Sequence, residues 1–141
     1  MKITIDRVDD AFQMEAKNER GQTIPMDSSV ASGGKDGGYR PMEMLLVAIG
    51  GCSSIDVIDI LKKQREPLEG LHVEINGERE PGKVPSLFKE IDLHFTLEGD
   101  LNEGKVKRAL DLSLEKYCSV AKMLEKTANI TYSFTINQAA K

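Results

Sequence analysis

Residues 91–97, IDLHFTL, alternate without interruption: Ile91, Leu93, Phe95 and Leu97 fall on one side and Asp92, His94 and Thr96 on the other. This is the period of a strand with one buried face. It recurs in LHVEI (Leu71, Val73, Ile75) and ITYSFTI (Ile130, Tyr132, Phe134, Ile136), and more weakly over residues 3–5 and 12–16. A single wet face on each strand favours antiparallel pairing over a doubly wound parallel sheet. KNERGQ, with Gly21 for a left-handed position, predicts a hairpin between strands near 11–17 and 22–26. Asn76-Gly77 is followed by the charged run GERE, which offers no apolar partner, so the pair predicts a bulge or strand end.

Two stretches change period. Pro41 suits a first helical position, apolar residues then run from Met42 to Leu61, and Lys62, Lys63 and Arg65 bring positive charge to the far end before Pro67 stops the helix. A second helix begins near Asn102, shows Val106, Leu110, Leu114 and Tyr117 along one face, and continues into KYCSVAKMLEK. A break is expected at Cys118-Ser119, with Ser119 capping a short third helix. The order βββαββα(α)β makes the chain α+β. No repeat, low-complexity tract or linker divides residues 1–141, so a single domain is expected. DSSVASGGKDGGYR is the one segment whose serines and glycines predict a mobile loop.

The first helix is apolar on nearly every side, through Leu45, Leu46, Val47 and Ile49. One layer of strands covers only one side of a helix, so both the second helix and another copy of the protein are expected against it. Within it AIGGCSSIDVID sets Gly50, Gly51, Cys52, Ser53 and Ser54 in succession. Two glycines cost a helix about 2 kcal/mol relative to alanine, so a close approach of another backbone or of a substrate beside Cys52 is expected to offset them.

Charge and composition narrow the function. Lys and Arg number 19 against 23 Asp and Glu, a net charge of −4 that argues against a nucleic-acid or membrane-surface binder. No apolar leader follows Met1, and Glu43, Asp56 and Asp59 interrupt the longest apolar stretch, so neither a signal peptide nor a membrane span is expected. A cytoplasmic protein follows, whose two cysteines are working or merely buried thiols sooner than a structural disulfide. Cys52, in mid-helix, gains little from the helix dipole and needs a cation to become thiolate; Cys118 lies near a helix start, where free N–H groups favour an anion. Core packing remains the plain alternative for each.

Other constellations are weaker. SGGKDGG resembles a phosphate loop in composition only, since Asp36 follows Gly34-Lys35. His72 and His94 fall on polar strand faces without cysteines at zinc spacing, and neither a metal nor a cofactor is expected. Asp56, Asp59 and Lys63 read as a polar exit from the buried half of the helix, and Met42, Met44 and Met123 as core filler.

PMEMLLVAIGGCSSIDVIDIL, with its proline eleven residues before a cysteine, together with EKYCSVAKMLEK, SLFKEIDLHF and ANITYSF, resembles the OsmC/Ohr family of osmotically inducible and organic hydroperoxide resistance proteins, in its YhfA-like branch. The resemblance spans essentially the whole chain. It implies antiparallel sheets around a long central helix in an intertwined homodimer, an organic hydroperoxide as substrate and an external dithiol as reductant. It also implies that Cys52 attacks the peroxide and Cys118 resolves the resulting sulfenic acid. The sequence departs from the peroxidase pattern directly after Pro41, where those members carry a glutamate that holds an arginine against the reactive sulfur. Here Met42 stands in that place and the acid follows at Glu43, on the opposite side of the helix from Cys52 at about 100° per residue. Arg7, Arg20 and Arg40 are N-terminal arginines with no motif to choose between them. A small-molecule or partner-binding protein of the same fold, without peroxidase activity, is the alternative.

Overall fold

The computed structural model describes residues 1–138. The described chain is α+β, with two three-stranded sheets and three α-helices, and it divides into two compact units at residue 45.

In the first unit, β1 (Ile3–Arg7), β2 (Met14–Asn18) and β3 (Thr23–Met26) form an antiparallel meander. Gly21, at φ 85°, closes the expected hairpin, and the Asn18 side chain accepts from the N–H groups of Arg20 and Gln22. Ile3, Ile5, Met14 and Ile24 are all exposed, as is every residue of β1. The serine- and glycine-rich segment expected to be mobile is instead folded around one carboxylate. Asp27 is buried and accepts from the N–H groups of Ser28 at 2.7 Å, Gly37 at 3.0 Å and Lys35 at 3.2 Å, while a 3-10 turn at Val30–Ser32 is capped by Ser29. The amides that a phosphate loop would aim at its ligand are therefore taken by the chain's own anion. Those bonds, that from Gly37 foremost, hold the Asp27 carboxyl below its ordinary range.

Helix α1 (Pro41–Lys63) begins at the expected proline and runs unbroken through Gly50 and Gly51. It stops before Pro67. Arg65 takes a left-handed conformation at φ 59°, while Arg65 N–H bonds the Lys62 carbonyl and Glu66 N–H the Leu61 carbonyl. This is a Schellman-type ending with arginine in the seat that favours glycine. By length and composition alone α1 would suit a membrane crossing. Ile49, Val57 and Leu61 on it are fully buried within the second unit.

The second unit adds β4 (Gly70–Arg79), β5 (Phe88–Glu98), α2 (Glu103–Leu112), a π-turn (Ser113–Tyr117), α3 (Ser119–Leu124) and β6 (Asn129–Asn137). The sheet order is β4-β5-β6. Ile91, Leu93, Phe95 and Leu97 of the central strand are wholly buried, as their alternation predicts. Across the sheet they continue rows such as Ile75–Leu93–Tyr132 and Val73–Phe95–Phe134. The opposite face is polar: His94 bonds Ser133 and Thr135, and Thr131 donates to Asp92.

One pairing departs from the antiparallel expectation, because β6 lies parallel to β5. Alternation along a strand reports which faces are wet and is blind to direction. Direction is set by the connection, and residues 99–128 form a crossover long enough to return the chain to the same end of the sheet. The bulge expected at Asn76-Gly77 lies two residues on, between Glu78 and Arg79, and β4 runs straight through Gly77. Gly77 is needed for room: a Cβ there would come within 2.6 Å of the Phe88 ring and 3.0 Å of Leu46.

Gly77→Ala should destabilise the protein by about 1–3 kcal/mol through overpacking, measured as a lower urea midpoint at unchanged slope. An unchanged midpoint would show that the Phe88 ring yields freely. For Asp27 the folded carboxyl titrates below its unfolded value. Its contribution is therefore present above the unfolded pKa and lost as pH falls through the folded one. Hydrogen-exchange protection at Lys35 and Gly37 should fall on acidification in the native protein, and should be weak at every pH in Asp27→Asn.

Candidate functional site: two cysteines and a carboxylate

The site is assembled within the second unit from α1 and from the segment that follows α2. On α1, Cys52 and Asp56 are four residues apart and so share one side of the helix. Between them Ser53 is buried, with its hydroxyl bonded back to the Ile49 carbonyl at 2.7 Å. The glycines before Cys52 have separate reasons. A Cβ on Gly50 would lie 2.7 Å from Ile75 Cδ1, so the close approach expected here is that of a β4 side chain, not of a backbone or substrate. A Cβ on Gly51 would meet nothing within 4 Å, and the space beside Cys52 on that side is open.

Cys118 arrives by way of the π-turn. Its N–H bonds the Ser113 carbonyl at 2.7 Å, five residues back, and the wider turn releases the chain into an extended residue at φ −72°, ψ 104°. That residue begins α3, and the cap is Cys118 itself: its Sγ accepts from Ala121 N–H at 3.4 Å, in the role expected of Ser119. The change of phase also explains Tyr117, placed with Val106, Leu110 and Leu114 by helical spacing, yet half exposed while those three are buried. Ser113 ties the two segments together. Its hydroxyl donates to Asp56 Oδ2 at 3.0 Å, with the Ser53 carbonyl a second acceptor at 3.3 Å.

Cys52 Sγ, Cys118 Sγ and an Asp56 carboxylate oxygen consequently lie within 4.8 Å of one another. Both thiols are free; Cys52 is half-buried and Cys118 wholly enclosed. Burial first, then contact with Cys52 and the charge of Asp56, push the Cys118 thiol up to about 11, outweighing the Ala121 N–H. The advantage expected from a helix start is thereby overcome, and Cys118 is a neutral thiol at physiological pH.

The structure brings the two cysteines together, and Asp56 lies with them. By sequence Asp56 reads as a polar exit from the helix, and its four-residue spacing from Cys52 is the signal that places it at the site instead. Asp59, grouped with it, forms a surface ion pair with Lys63 at 2.7 Å. Arg7 bonds the carbonyls of Asp10 and Ala11, Arg20 the side chain of Gln22, and Arg40 the carboxylates of Asp36 and Glu43. Glu43 thus pairs with Arg40 at 3.2 Å on the surface. His72 and His94 stay on the polar side of the sheet. Two surface clefts, one containing Lys107 and Arg108 and the other Lys122 and Tyr132, include neither cysteine.

Comparison with known proteins gives the family and the fold. The family model described as OsmC-like protein matches residues 33–133. The chain belongs to the OsmC family. It is 50% identical over 117 residues to Protein YhfA of Escherichia coli, covering 82% of this chain and 84% of that one. A hypothetical protein from Aquifex aeolicus superposes with a TM-score of 0.85 at 31% identity, over 99% of this chain and 97% of that one. An organic hydroperoxide resistance protein OsmC from Legionella pneumophila shares the fold with a TM-score of 0.73 at 14% identity, over 95% of each chain.

Iodoacetamide should modify Cys118 far more slowly than a peptide thiol at neutral pH, with the rate climbing as pH approaches about 11. Peptide mapping after timed labelling reads this directly, and equal labelling of Cys118 and a free peptide would show that the thiol is neither enclosed nor raised.

Proposed function

We propose that the protein is a cytoplasmic, homodimeric thiol peroxidase of the organic hydroperoxide reductase type, in which Cys52 is peroxidatic and Cys118 resolving. The observation that carries the reading is the meeting of two free sulfurs, 66 positions apart in the chain, one half-buried and the other enclosed. The Cys52 thiolate attacks the terminal oxygen of the hydroperoxide. The O–O bond breaks, the alkoxide takes a proton and leaves as alcohol, and Cys52 becomes a sulfenic acid. Cys118 sulfur then attacks Cys52 sulfur; the S–S bond forms, the S–O bond breaks, and the hydroxyl leaves as water with the Cys118 proton. An external dithiol reduces the disulfide by two exchanges and is itself oxidised. A raised Cys118 thiol suits this order, since it does not compete with Cys52 for peroxide.

The homodimer draws support from apolar side chains left bare in both units. Ile3, Ile5 and Met14 are exposed in the first, and Val47, Ile55 and Ile58 of α1 in the second. A second copy covering them would bury these side chains in each unit.

A specific observation favours a second reading, a binding protein of the same fold. Met42 replaces the glutamate that follows the proline in peroxidase members, and the sulfurs face a carboxylate. Stopped-flow oxidation of reduced protein by cumene hydroperoxide separates the two. We expect oxidation well above the rate of free cysteine, abolished by Cys52→Ser, while Cys118→Ser allows one oxidation and then stalls at sulfenic acid. Oxidation no faster than free cysteine would establish the binding reading instead.

A further inference from the structure

Cys52, Asp56 and Cys118 present two sulfur donors and one oxygen donor within 4.8 Å of one another. A tetrahedral zinc ion with sulfur at about 2.3 Å sets its thiolates about 3.8 Å apart. Side-chain rotation of about 1 Å therefore suffices to close the three onto one ion. The donors stand on rigid supports: Cys52 and Asp56 four apart on a 23-residue helix, and Cys118 at the residue where the π-turn ends. An outer partner is already in place, since the Ser113 hydroxyl donates to Asp56 Oδ2 at 3.0 Å and leaves the other carboxylate oxygen free to turn to an ion.

We propose that the reduced protein binds one thiophilic divalent cation of the zinc class per chain through Cys52 Sγ, Cys118 Sγ and an Asp56 carboxylate oxygen. The fourth position is left to water or an exogenous ligand. Binding displaces the two thiol protons to solvent, and no electron is transferred. The ion occupies the residues assigned above to peroxide reduction but needs none of that chemistry. It also shields both sulfurs from oxidant while bound.

The test is a zinc titration of reduced protein in competition with a chromophoric chelator, without peroxide, accompanied by cobalt substitution to reveal sulfur-to-metal charge transfer. One equivalent per chain is expected, with the charge-transfer band present. Cys52→Ser and Cys118→Ser should each remove the band and most of the affinity. Asp56→Asn should weaken binding at least tenfold, and Ser113→Ala by about tenfold, as expected of an outer-shell partner. Circular dichroism checks that each variant is folded, and the disulfide form, folded but without thiols, should bind none. No saturable binding, or binding that survives in Asp56→Asn at full strength or in the disulfide form, would overturn the proposal. A protein that reduces hydroperoxide but takes up no zinc defeats this inference alone, whereas zinc uptake without turnover defeats only the peroxidase reading.

Discussion

The hydroxyl and carbonyl of Ser113 hold the site together from its two ends. The carbonyl accepts the Cys118 N–H and closes the π-turn, and the hydroxyl reaches α1 to hold Asp56. A regular α-helix through residues 113–117 would keep its i to i−4 bonds and carry Cys118 round to a different direction. The wider turn forfeits that regularity, as π-turns at functional sites commonly do. Its return is position: the chain leaves the turn extended, and Cys118 sits buried against Cys52 instead of continuing the stripe of Leu110 and Leu114.

The sheet makes this possible. Because β5 and β6 are parallel, the chain between them must recross the sheet, and the only face that rewards such a crossing is the apolar one made by Ile91, Leu93, Phe95 and Leu97. The crossover thus lies on the same side as α1. A meander through the same three strands would leave no segment there, and the second sulfur would have no route to the first. The direction of one edge strand is therefore a condition of the chemistry. The polar face, with His94 between Ser133 and Thr135, needs no apolar cover.

Much of this frame was legible in the chain. Strict alternation located β4, β5 and β6 and their buried faces, Pro41 and the lysines bounded α1, and the motifs around Cys52 and Cys118 carried the resemblance to the family. What was hidden lies in pairings between distant residues. Strand direction depends on a connection, not on alternation. Gly50 and Gly77 are explained by Ile75 and Phe88, which only the fold brings against them. Asp27 turns a glycine-rich loop into an ordered one through amides eight and ten residues away. The cap at α3 was assigned to Ser119 because hydroxyls are the usual acceptors; a thiol took the position because the sulfur was already fixed there by the π-turn. Asp56 was visible four residues from Cys52, but its meaning required Ser113 from another segment.

The electrostatics of the pair set the terms for any function it performs. Around Cys118, burial, a second sulfur and a carboxylate all oppose a thiolate, and a single backbone amide favours one. Removing a proton from such a group in a poorly solvated place is costly unless opposite charge arrives with the reaction. A peroxidase can meet that demand by using the less buried Cys52 as its nucleophile and keeping Cys118 protonated until the sulfenic acid has formed. The leaving hydroxyl then takes up the proton that burial had held in place. A divalent ion meets the same demand directly, by replacing two protons with two positive charges. Both chemistries follow from one arrangement, in which the Ser113 hydroxyl, donating to Asp56, fixes the carboxylate beside the two sulfurs.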